Sequence, residues 1–81
     1  MQILVRLFAS FREAVGRSSL DWEAPDGASV EDVLAGLRDE FPALKRGPER
    51  AMYAVNQEYV EPTHRLSSGD ELALIPPVSG G

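Results

Sequence analysis

One stripe decides the architecture open to this chain. Val30, Val33, Leu34, Leu37 and Phe41 recur at i, i+3, i+4, i+7 and i+11, so one face of a helix is apolar throughout. Ser29 stands where a helix N-cap belongs, with Asp32 three residues on and Glu31 placed to complement the helix dipole. Pro42 bars continuation, so the helix ends near Glu40. A lone amphipathic helix must bury its stripe against something, and the rest of the 81-residue chain offers only short strands.

Those strands flank the helix on both sides. In Ile3–Phe8, Ile3, Val5 and Leu7 share one parity and read as the core face, which leaves Phe8 pointing away. Phe11–Gly16 reads as a short turn or connection, with Gly16 as its stop. Ser18–Ala24 alternates, with Leu20 and Trp22 inward and Ser19, Asp21 and Glu23 outward. These two strands predict an antiparallel hairpin. Pro25, Asp26 and Gly27 then make a turn, because proline fixes φ and glycine accepts positive values. After the helix, Leu44–Arg50 reads as a polar connection. Ala51–Val55 and Glu58–Val60 read as strands around an Asn56-Gln57 turn, and Pro62–Ser68 as a loop or single helical turn. Ser68, Gly69 and Asp70 turn the chain into a last strand, Glu71–Ile75, with Leu72 and Leu74 inward. The first and last strands are the most apolar and belong side by side, parallel, at the sheet centre. The expected class is α+β: a mixed sheet of about five strands on one main helix. Residues 1–75 form that domain, and 76–81 form an extended, flexible tail.

The tail is where chemistry concentrates. Pro76 and Pro77 resist helix and central strand, and Gly80-Gly81 ends the chain in a sterically bare carboxylate. Fully extended, residues 76–81 span roughly 20 Å. Nothing else in the sequence offers a catalytic constellation. The chain has no cysteine, which excludes disulfides, thiolate metal sites and a cysteine nucleophile. One histidine, His64, leaves no basis for a histidine zinc site and suits a solvated or turn-stabilising role. No phosphate loop of recognised spacing occurs. Asp70 and Glu71 are adjacent, so in a strand they face opposite ways and suit turn and edge positions rather than an acid–base pair. No bound cofactor and no metal are expected. The formal charge of −5 argues against nucleic acid. No run approaches the ~20 apolar residues of a membrane span, and the N-terminus lacks the pattern of a secretory leader, so a cytoplasmic location is expected. Phe8, Tyr59 and Ile75 each take the parity opposite to the core of their segments. Together they are candidates for an apolar partner interface on the uncovered face, near the tail.

Three stretches together resemble a known family: Leu7 to Gly16, Ala54 to Val60, and the run from Gly69 through Pro-Pro-Val-Ser-Gly-Gly81. The pattern resembles the β-grasp arrangement of ubiquitin, and the chain resembles the small subunits of molybdopterin synthase, ubiquitin-like sulfur carriers (the MoaD family). The resemblance spans essentially the whole chain. It implies a subunit that is not catalytic alone. A ubiquitin E1-like adenylyltransferase consumes ATP to adenylate the Gly81 carboxylate, and sulfur then replaces AMP to leave a thiocarboxylate. The loaded carrier docks on the large synthase subunit, within a heterotetramer. Pro76, Pro77, Val78, Ser79 and Gly80 thread Gly81 into that subunit's active site, where sulfur passes to cyclic pyranopterin monophosphate in molybdenum cofactor biosynthesis. The Gly-Gly end is shared with carriers for thiamine or tRNA thiolation and with protein modifiers conjugated through their last glycine, so these stand as alternatives.

Overall fold

The computed structural model describes residues 1–46 and 51–76; the expected tail residues Pro77, Val78, Ser79, Gly80 and Gly81 lie outside the described residues. Five strands, β1 (Gln2–Leu7), β2 (Ser19–Glu23), β3 (Met52–Val55), β4 (Glu58–Val60) and β5 (Glu71–Ile75), form one sheet in the order β2-β1-β5-β3-β4. β1 and β5 are the parallel central pair, as their apolar character requires, and the other neighbours are antiparallel. Two helices join them: α1 (Ala9–Val15) between β1 and β2, and α2 (Val30–Glu40) between β2 and β3. A 3-10 helix follows over Pro42–Arg46.

α2 carries the stripe that the sequence dictates. Val30, Val33, Leu34 and Leu37 are buried with Ile3, Val5, Leu7, Leu72 and Leu74 of the sheet in one core. Gly36 marks the closest approach: a Cβ there would stand 3.0 Å from Trp22 Cζ2 on β2. The N-terminus of α2 is fully provided for. Ser29 Oγ accepts from the Asp32 N–H at 3.2 Å, while the Ser29 N–H donates to Asp32 Oδ2 at 3.0 Å. The Val30 and Glu31 N–H groups donate to the carbonyls of His64 and Pro62, each at 3.0 Å. His64 therefore serves the fold through its backbone, in the turn-stabilising role the sequence suggested.

The hydrogen bond from the Ser29 N–H, then that from its hydroxyl, holds the Asp32 carboxyl below its ordinary value of 3.8. A depressed folded-state pKa contributes stability well above 3.8 that is lost as pH falls through the folded value. Thermal melts of wild type and Asp32→Asn are expected to differ at neutral pH and to converge as pH is lowered below that value. A gap that stays constant down to low pH would show that the carboxylate charge plays no part in the cap.

Two connections depart from the sequence reading. Phe11–Gly16 is not a loop: it belongs to α1, which buries Phe11 and stops at Gly16 with a left-handed φ of 85°. Leu44 is not part of a polar link but a buried core residue on the 3-10 helix. The β3–β4 turn is as expected. Asn56 and Gln57 both take positive φ, 52° and 71°, the pattern of a two-residue hairpin turn.

Candidate functional site

The face of the sheet opposite α2 is built from strand alternation. Ala73 and Ile75 of β5 lie opposite Ala54 and Met52 of β3, and Ala54 lies opposite Tyr59 of β4. Phe8 follows β1 in extended conformation (φ −121°, ψ 149°), and its N–H donates to the Leu74 carbonyl at 3.3 Å. Side chains along a strand point alternately to the two faces. Since Leu72 and Leu74 point into the core, Phe8, Ile75 and Met52 form one row on the outer face, and Ala73, Ala54 and Tyr59 form the next. Phe8 and Ala73 line a common recess with Arg6, Gln57 and Glu71.

This face carries every large hydrophobic residue that is exposed among the described residues: Phe8 at 42%, Met52 at 47% and Tyr59 at 68%. Single exposed hydrophobes are ordinary. Three on one face, joined through the smaller Ala54, Ala73 and half-buried Ile75, make a patch of the kind that marks an interaction surface. The structure thus places Phe8, Tyr59 and Ile75 on one face, and adds Met52. Met52 was legible in principle, since it shares the parity of Ala54 and opposes that of the inward Val55.

Local geometry fixes how the patch is presented. Ala9 takes a left-handed φ of 49°, which costs a residue with a Cβ roughly 1–2 kcal/mol. That residue turns the chain out of β1 into α1 directly behind Phe8. Polar groups frame the opposite end of the strands. Arg6 Nη1 meets Glu71 Oε1 at 3.0 Å, an exposed pair of small energetic worth. Asp70 accepts from the Ser67 N–H at 2.8 Å and from Asn56 Nδ2 at 3.0 Å. Asp70 is thus committed to the turn before β5, whereas Glu71 stands on the central strand rather than at an edge and pairs with Arg6 of β1. Among the described residues, no group of three or more His, Asp or Glu side chains is placed to hold a metal ion, and no helix is long and apolar enough to cross a membrane.

β5 ends at Ile75, and half-buried Pro76 follows it. The sequence that leads to Gly80-Gly81 therefore departs from the row containing Phe8, Ile75 and Met52. A five-strand mixed sheet crossed by one long helix, with an apolar outer face at the root of a Gly-Gly ending, defines a ubiquitin-like β-grasp protein. A family model described as the ThiS family matches residues 5–81, and the chain belongs to that family. It is 46% identical to the molybdopterin synthase sulfur carrier subunit of Chlamydomonas reinhardtii, with 100% of both chains covered. It is 35% identical to small archaeal modifier protein 3 of Haloferax volcanii, again over 100% of both. Among solved structures, that of SAMP1 from Haloferax volcanii matches with a TM-score of 0.87 at 31% identity, covering 100% of each chain.

Proposed function

We propose that this chain is the sulfur-carrier small subunit of a molybdopterin synthase. The observation that carries the reading is the full-length 46% identity to an algal sulfur carrier subunit, with the Gly-Gly ending in place. The exposed face around Phe8, Met52, Tyr59 and Ile75 is the docking surface for the large subunit. Pro76 to Gly80 is the threading segment, and Gly81 the covalent handle.

The chemistry follows from the terminal carboxylate. A carboxylate is a poor electrophile, and adenylation at the expense of ATP, by an E1-like enzyme, gives it AMP as leaving group. A sulfur nucleophile displaces AMP and leaves a thiocarboxylate. The folded domain supplies affinity and the tail supplies position, so sulfur is delivered to cyclic pyranopterin monophosphate by proximity. Pro76 and Pro77 restrict the tail before binding, which lowers the entropy lost on threading. The chain needs no catalytic group of its own, and it works in the cytoplasm as part of a heterotetramer with the large subunit.

The test is direct. Incubation with the activating enzyme, ATP and a sulfur donor is expected to raise the intact mass by the difference between sulfur and oxygen. The loaded chain is then expected to convert the cyclic pterin when the large subunit is added. Absence of the mass change overturns the proposal, and stable capture by a thiazole synthase in place of the large subunit moves the chain to the thiamine branch. The likeness to a small archaeal modifier favours one second reading, conjugation to lysines through Gly81. Isopeptide-linked Gly-Gly remnants on other proteins would establish it.

A further inference from the structure

A second surface lies at the other end of the sheet, away from Met52 and Tyr59. β2 is an edge strand. The Leu7 N–H donates to the Ser18 carbonyl at 2.9 Å, and the Ala24 N–H to the Met1 carbonyl at 2.8 Å. Antiparallel alternation therefore sends the backbone groups of Ser18, Leu20, Trp22 and Ala24 toward β1, and those of Ser19, Asp21 and Glu23 toward the open side. Beside this edge runs a groove of about 480 Å³ between β2 and the end of α2, lined by Leu20, Trp22, Phe41, Glu40, Arg17 and the flanking Asp21 and Glu23. That volume is in the range of a small-ligand cleft, yet the polar groups stand along a strand edge rather than converging on one point. The arrangement suits an extended chain.

We infer that β2 accepts an added strand from another protein, and that this strand alternates apolar with basic residues. Three features select it. The N–H and C=O groups of Ser19, Asp21 and Glu23, which face away from β1 and meet no backbone partner among the described residues, supply the main-chain bonds of strand addition. On the helix side of the edge, half-buried Trp22 and Phe41 with Leu20 receive alternate apolar side chains. On the other side, exposed Asp21 and Glu23, the latter also 3.4 Å from the N-terminal ammonium, stand beside the intervening residues, which lysine or arginine matches in charge. The same charges oppose pairing β2 with its own copy centred on Asp21. Two β2 strands paired antiparallel about Asp21 would set Asp21 against Asp21, a repulsive pair. Asp21 and Glu23 pair with Leu4 and Gln2, toward the end of β1 away from Phe8, so this stretch of the edge lies apart from the Phe8–Met52 row.

The chain has a single tryptophan, Trp22, which reports on the groove by fluorescence. The probe is a short synthetic peptide alternating lysine with valine and leucine. One control replaces each lysine with glutamate; a second keeps the composition but gathers the lysines in one block. The alternating basic peptide is expected to shift Trp22 emission and to protect the Ser19, Asp21 and Glu23 amides from hydrogen exchange, with both controls inert. Asp21→Lys, at an exposed position paired with Leu4 rather than standing in the Phe8 row, is expected to weaken that binding roughly tenfold as attraction turns to repulsion. Equal binding of either control, protection located on the Phe8–Met52 face, or concentration-dependent self-association through β2 would each overturn the assignment.

Discussion

Deletion of Gly81 is expected to abolish sulfur loading while the fold stays intact. The deletion leaves Gly80 as the terminal residue, so a bare glycine carboxylate is still present. What changes is its position. One residue of extended chain is worth about 3.5 Å, and misplacement of a reacting group by even about 1 Å can cost on the order of 100-fold in rate. On the proposed function the same tail serves both the adenylating site and the large-subunit site, so both steps should fail. Stability is a separate matter, since the buried core runs from Ile3 to Leu74. The melting temperature of the truncated chain is expected to match that of wild type. The measurement is intact mass after incubation with the activating enzyme, ATP and sulfur donor, with circular dichroism on the same sample. Loading of the truncated chain at the wild-type rate would remove Gly81 from its assigned role.

The sequence made this arrangement legible wherever a period was long enough to read. The α2 stripe runs over three turns, and the alternations of β1, β2 and β5 each fix a face, so the helix, the parallel central pair and the outward position of Phe8 follow from pattern alone. α1 was missed for a physical reason. A seven-residue helix spans only two turns, and a helix that short draws its stability from tertiary contacts rather than from its own sequence. Its one buried side chain, Phe11, gives no repeat to detect. Leu44 was missed because it stands alone between Pro42-Ala43 and the charged Lys45-Arg46 with no repeat to follow, and only the packing of the 3-10 helix buries it. The β2 groove is a property of two elements distant in sequence. Trp22 reads as an ordinary inward residue until Phe41 and Glu40 are seen beside the same strand edge.

Leu74 and Ile75 are neighbours in sequence and are expected to behave as opposites. Leu74 is fully buried under α2 in the shared core. Leu74→Ala removes apolar contacts and leaves a cavity, at a cost of about 2–5 kcal/mol. A domain of this length has on the order of 4–12 kcal/mol in all, so that variant is expected to melt far below wild type or fail to fold. Ile75 faces the other way, in the row with Phe8 and Met52. On the proposed docking, Ile75→Asp places a carboxylate where the large subunit would exclude water, and an unpaired charge buried at an interface costs several kcal/mol. Binding is expected to weaken by at least about 100-fold, equivalent to roughly 2.7 kcal/mol, with the melting temperature little changed. Ile75 also sits at the root of the tail, so a loss there has two readings. Met52→Asp separates them: Met52 lies on β3, off the tail, and is expected to lower affinity comparably while leaving a loaded thiocarboxylate intact. Phe8→Ala should fall between, since truncation removes an aromatic anchor without adding charge. Calorimetric titration against the large subunit, paired with thermal melts, reads all four variants. A melting temperature for Ile75→Asp as low as that of Leu74→Ala would mean that the outer face is packed within the chain. Unchanged affinity in Met52→Asp would confine docking to the tail and its root.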